Sequence, residues 1–138
     1  MTNTLEKVYN DLTSMGVFVF DCKLPRHESI SSKDGYIGID AERLKTSADV
    51  TKILIHESGH FIRGAFYNPF AAYSERIRAE SQAERASFLR YIPYDELHDI
   101  LSEENATCYD AAEHFGLPSE VIEKAYFFYR DCLGLRFD

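Results

Sequence analysis

Apolar side chains at Leu5, Val8, Tyr9 and Leu12 recur at i, i+3, i+4 and i+7, so the chain opens on an amphipathic helix. Asn3 with Glu6 has the form of a capping box at its start, and Gly16 supplies a stop. The periodicity then changes. Val17 to Phe20 is a short apolar run suited to a strand, and Gly35 to Asp40 (GYIGID) reads as a second. Between them, Asp21 to Asp34 carries Pro25, Ser29, Ser31 and Ser32 and reads as a loop. Two short strands do not make a stable sheet, so one more strand or close helix cover is expected.

Helical patterning takes over from Thr46. Thr46 with Asp49 forms an [ST]-x-x-[DE] start ahead of an apolar-rich helix from Val50 to about Ile62. Gly64 to Tyr73 (GAFYNPFAAY) reads as a loop, and Ser74 to Tyr91 as a charged helix stopped near Pro93. Shorter helices follow over Tyr94 to Leu101, Thr107 to Phe115 and Ser119 to Leu133, the last two separated by Gly116-Leu117-Pro118. The expected fold class is α+β, with a small N-terminal β-sheet packed on a mainly helical body. One domain is expected over residues 1–138: helix and strands in 1–45, two central helices in 46–93, and C-terminal helices in 94–138.

Composition narrows the function classes. At 138 residues the chain can close a core without disulfides, and 45% apolar with 28% charged residues marks a globular protein rather than a disordered one. No apolar run approaches the roughly 20 residues that span a bilayer. The opening MTNTLEKVYNDL lacks the basic-then-apolar order of a secretory signal. Fifteen Lys and Arg against 23 Asp and Glu give a net charge of −8, a poor balance for gripping a phosphate backbone. Cys22, Cys108 and Cys132 are odd in number, widely spaced and without a CxxC, as expected of thiols in a reducing compartment. A cytoplasmic protein with no membrane and no direct nucleic-acid partner is expected.

The chemistry concentrates in Ile53 to Phe61, ILIHESGHF, which contains His56-Glu57-Ser58-Gly59-His60, an H-E-x-x-H. Four residues of helix separate the two imidazoles by about 6 Å along the axis and put them on one face, where they can converge on one metal ion. Glu57 stands beside them, placed to reach a water held by the metal. Gly59 inside a helix loses roughly 1 kcal/mol against Ala, which implies that something packs closely there. A catalytic zinc site wants a third protein ligand. Glu80, twenty residues beyond His60 on the next helix, is the best candidate; Glu75 and Asp95 are weaker ones. Ile77, Glu80, Glu84 and Tyr91 share a stripe, so Glu80 should face inward, and Glu84 could accept the outer N–H of a ligating histidine. A donor to the oxyanion is open among Tyr67, Tyr73 and His114. His27 and His98 read as surface histidines.

Quoted in full, these segments resemble the ImmA/IrrE-type metallo-endopeptidases of bacterial mobile elements and prophages. That family has an H-E-x-G-H helix followed by a helix of the form E-x-x-A-[N/D] that ends in [LM]-[IM]-P. The chain has HESGH at His56 to His60, then Glu80-Ser81-Gln82-Ala83-Glu84, ending in Tyr91-Ile92-Pro93. The likeness runs from about Leu5 to Gly134 and departs at Glu84, Ala86 and Tyr91, where the family more often has Asn or Asp, an aromatic and Leu. The resemblance implies zinc bound by His56, His60 and Glu80, with Glu57 as catalytic base. It also implies a protein substrate, typically a DNA-binding repressor encoded nearby. Two other classes compete: a metallopeptidase-like protein that only binds a partner, and a helix–turn–helix module over Ala111 to Val121. The second of those helices starts Ser119-Glu120, against the basic and amide side chains that read DNA.

Overall fold

The computed structural model describes residues 3–138. It is α+β, with six α-helices and one three-stranded sheet among these residues. In chain order they are α1 (Thr4–Ser14), β1 (Phe18–Asp21), β2 (Ser29–Ser32), β3 (Tyr36–Ile39), α2 (Ser47–Arg63), α3 (Tyr73–Tyr91), α4 (Tyr94–Leu101), α5 (Cys108–Phe115) and α6 (Ser119–Phe127). The strand order is β1-β3-β2, with β1 parallel and β2 antiparallel to β3. Among the described residues no helix is long and apolar enough to cross a membrane.

Local chemistry sets most boundaries. The Asn3 side chain accepts from the Glu6 N–H at the start of α1, and Thr46 Oγ1 accepts from the Asp49 N–H at the start of α2. Thr107 and Asp110 close a full capping box on α5. Two expectations are corrected. The segment Asp21 to Asp34 is not all loop, since Ser29–Ser32 pairs with β3 and supplies the sheet's third strand. Tertiary pairing overrides the weak strand propensity of SISS. The last helix does not continue regularly to Leu133 either; α6 ends at Phe127 and a π-helical turn spans Phe128–Cys132. The wider turn buries both Phe128 and Tyr129, two adjacent residues that a regular helix would splay apart. Tyr129 then donates to the carbonyls of Phe88 and Ile92 at the end of α3.

One apolar cluster runs through the molecule. Val8 and Leu12 of α1, Ile37 and Ile39 of β3, Leu54 and Ile55 of α2, and Phe115, Ile122 and Tyr129 from the C-terminal part all belong to it. Within it α2 and α3 make the most intimate contact of the fold. A Cβ built on Gly59 would lie 2.0 Å from the carbonyl oxygen of Ala83, so the two backbones touch with no side chain between them. Ala79 and Ala83 are buried on the facing stripe of α3.

A polar chain crosses the same core. Ser58 Oγ lies 2.7 Å from the Tyr91 hydroxyl, which donates to Asp11 Oδ2 at 2.7 Å, and Arg90 makes two bonds to the same carboxylate. Arg90 and Tyr91 hold the Asp11 carboxyl below its ordinary 3.8 against the opposing pull of burial. The chain therefore ties α1 to α2 through the end of α3, and leaves no bond unmade by the buried Ser58 and Tyr91 hydroxyls.

Two stability outcomes follow from these contacts. Gly59→Ala should destabilise the protein by about 1–3 kcal/mol in denaturant unfolding, although alanine is the better helix former, because the added methyl must push α3 away. Unchanged or raised stability would show that the helices are not in contact at this point. Asp11→Asn should cost about 1 kcal/mol at neutral pH, discounted for the half-exposed Arg90. A carboxyl depressed in the folded state stabilises above its unfolded value and loses that contribution as pH falls through the folded one. The difference between wild type and variant should therefore shrink below about pH 4, and a pH-independent difference would exclude the ion pair as its source.

Candidate metal centre

The end of α2 builds the site. Leu54, Ile55 and Ser58 face the core, which turns His56 and His60 to the opposite side, towards α3. At Gly64 the backbone enters the left-handed region with φ 68°, a conformation that costs glycine nothing. That reversal folds the chain back on the last turn. Ala65 N–H donates to the His60 carbonyl, and His60 Nδ1 donates to the Ala65 carbonyl at 2.5 Å. The helix terminator thus orients the imidazole and leaves Nε2 pointing into the site. Phe66 stacks against the same ring, with centroids 5.9 Å apart.

Glu80 arrives from α3, one turn before the Gly59–Ala83 contact. Its Oε2 lies 2.7 Å from His60 Nε2 and 3.4 Å from His56 Nε2. One ligand atom from each of the three residues falls within a 4.8 Å group. Bonds of about 2.0–2.1 Å in a tetrahedral zinc site place ligands about 3.3 Å apart, so the donor set and its spacing fit a divalent cation with modest adjustment at Glu80. The two rings meet edge to face with centroids 5.1 Å apart, which directs both nitrogens to one point instead of stacking them.

Electrostatics binds these groups together. Hydrogen bonds from His56 and then His60 hold the Glu80 carboxyl down at about 2. Burial would lower His60, but the bond to Glu80, helped by the Ala65 carbonyl, leaves it raised. Glu57 is buried beside them with Oε1 3.7 Å from His60 Nε2. Burial pushes its carboxyl up, opposed by the two histidines and by a hydrogen bond from Ser29 on β2. Two clefts of about 490 and 480 Å³ meet over this centre. The first runs along α3 past His56 and Glu84; the second is walled by β2 and the 64–72 loop.

The structure brings His56, His60, Glu80 and Glu57 together, and leaves Glu75 and Asp95 outside the group that could hold a metal ion. Glu84 lines the α3 cleft, but the bond expected of it is made for His60 by Ala65, and its carboxylate lies 3.9 Å from Lys124. Tyr67 and Tyr73 line the clefts. Tyr67 is raised by burial and by the charges of Glu80 and Glu57. His114 is bound instead by Glu96 at 2.8 Å. His98 is not a plain surface residue: it packs between Tyr94 and Phe137. His27 is exposed but lines the β2 cleft. Three contributors escaped the sequence reading: Ser29, the Ala65 carbonyl, and Arg76, which lines both clefts. Only Arg76 left a signal, at i−4 from Glu80 on the same helix.

No protein-family model, curated protein or solved structure matches this chain.

Gently purified protein should carry close to one equivalent of zinc per chain by elemental analysis. His56→Ala, His60→Ala and Glu80→Ala should each lose it, whereas Glu84→Gln should retain it. Full occupancy in Glu80→Ala would remove α3 from the ligand set.

Proposed function

We propose that this chain is a zinc-dependent endopeptidase of the cytoplasm that cuts a regulatory protein, a DNA-binding repressor encoded nearby being the favoured substrate. The observation that carries the reading is the convergence of His56, His60 and Glu80 on one point with Glu57 buried alongside. The resemblance of HESGH and of the Glu80 to Pro93 segment to the ImmA/IrrE-type peptidases supports the choice of a repressor.

Zinc bound by these three residues would acidify a water and polarise the scissile carbonyl. Glu57 does the proton work. Its carboxylate takes a proton as the water oxygen bonds to the carbonyl carbon, then delivers it to the amine nitrogen as the C–N bond breaks. Its raised proton affinity, set by burial, suits both halves of that cycle. Ser29 of β2 lines the same cleft as Glu57 and favours its charged form against burial. Tyr67 is the best of the three candidate oxyanion donors. It lines both clefts, and burial, with the charges of Glu80 and Glu57, pushes its phenol up from its ordinary value. The loop that carries it holds Phe70 at 95% exposure, and Tyr73 follows at 71%, an apolar surface beside the site on which a folded substrate could dock. The net charge of −8 favours a basic partner such as a DNA-binding protein.

Glu57→Gln should keep fold and zinc while losing about 10²–10⁴-fold in hydrolysis, and Tyr67→Phe should lose about 10–100-fold in kcat. The substrate test incubates zinc-loaded wild type with the neighbouring repressor and, separately, with casein, and reads products by mass spectrometry. One or a few cuts in the repressor, absent with Glu57→Gln, are expected. Rapid casein degradation with an intact repressor would defeat the substrate assignment. Stable repressor binding with no cleavage would replace the enzyme by a partner-binding protein.

A further inference from the structure

We propose that Arg76 is a carboxylate-recognising residue of the cleft, so that the preferred ligand of this site carries an acidic group beside the bond to be cut. The inference rests on the peptidase reading above and adds the substrate's chemistry to it.

Position is the first argument. The two clefts share Tyr67, Arg76 and Glu80, and the metal-ligating group lies at their junction. A chain laid across the centre from one cleft to the other must pass Arg76. Among the described residues Arg76 is the only Lys or Arg that lines either cleft, while Glu57, Glu80 and Glu84 all do. Without it, an acidic ligand would meet a row of carboxylates.

Availability is the second argument. Arg76 and Glu80 are spaced i, i+4 on α3, the separation at which opposite charges ordinarily pair across one helical turn. Here they do not. Glu80 is turned to His60 and His56 at 2.7 and 3.4 Å, and no carboxylate among the described residues is within ion-pair distance of Arg76. Its guanidinium carbon instead lies over the ring of Tyr73, 5.9 Å from the centroid. A cation held over an aromatic face keeps its planar N–H fork free, and that fork matches both oxygens of a carboxylate.

The carboxylate has two sources to distinguish, an Asp or Glu side chain next to the scissile bond, which keeps the endopeptidase reading, or the C-terminus of a peptide, which would make the peptidase one that trims chain ends. Small metal-anchored probes separate them without requiring turnover. Acetyl-glutamyl hydroxamate and acetyl-glutaminyl hydroxamate report the side-chain source. Succinic monohydroxamic acid and its monoamide report the terminal source. Each is titrated calorimetrically into zinc-loaded wild type, Arg76→Ala and Arg76→Lys. The expected result is about tenfold tighter binding of the acid than of the amide in at least one pair, lost in Arg76→Ala and partly kept in Arg76→Lys. Equal affinity within both pairs in wild type, or a preference that survives Arg76→Ala, would overturn the proposal. In parallel, a degenerate library of end-capped octapeptides is incubated with wild type and its cuts are sequenced. An acid preference in binding together with an uncut library would keep Arg76 as a recognition residue and count against the hydrolase reading. Cuts with no acidic preference, alongside equal hydroxamate affinities, would leave the hydrolase and remove the role given to Arg76.

Discussion

The backbone contact between Gly59 and Ala83 is the constraint on which the site depends. With 2.0 Å between a hypothetical Gly59 Cβ and the Ala83 oxygen, no residue larger than glycine fits unless the helices separate. The contact sits one residue before His60 and three after Glu80. Any increase in helix separation there would carry the Glu80 carboxylate away from both imidazoles together. Buried Ala79 and Ala83 keep the facing stripe of α3 low enough for this approach. Glycine costs roughly 1 kcal/mol against alanine inside a helix, and here it permits a backbone approach that no longer side chain would allow.

Around that contact the remaining groups come from separate elements, each held by a local device. The Gly64 reversal that ends α2 also points the Ala65 carbonyl at His60, so helix termination and ligand orientation are one event. Strand β2 brings Ser29 to Glu57 and forms one wall of a cleft. On the core side, Ser58 bonds Tyr91, which bonds Asp11, so the same helix that presents the histidines is tied to α1 and to the end of α3. The site therefore draws on the sheet, the first helix and the α2–α3 pair at once, and its rigidity is that of the core behind it.

Charge is arranged with similar economy. Three carboxylates and three histidines face the clefts, and with Glu80 paired to His60 and His56, Arg76 one turn away has no carboxylate within ion-pair distance among the described residues. A divalent cation held by His56, His60 and Glu80 would take the place of the direct contact between His60 Nε2 and Glu80 Oε2. Carboxylate repulsion at the centre would then fall, while the cation at Arg76 would keep its place.

Much of this was legible in the chain itself. Helix starts at Asn3, Thr46 and Thr107 and stops at Gly16, Gly64 and Gly116 are short-range chemistry, and the structure places them where the spacing predicts. So is the pairing of His56 with His60, because four residues of α-helix bring two side chains to one face whatever the rest of the fold does. Glu80 could be ranked first among the carboxylates but not placed, since its position depends on how closely two helices cross. Strand β2 was hidden because SISS has little strand character of its own and exists by pairing with β3. The π-turn at Phe128 was hidden because its cause is the packing of Phe128 and the reach of Tyr129 to the end of α3. The Ala65 carbonyl carries no side-chain signature at all. Sequence alone determined which histidines and carboxylates are present and which of them share a helical face, because those follow from the backbone's own period. The tertiary structure decided which carboxylate meets the histidines, which backbone group orients them and which cation is left free, because each of these is a contact between segments that only the packed core brings together.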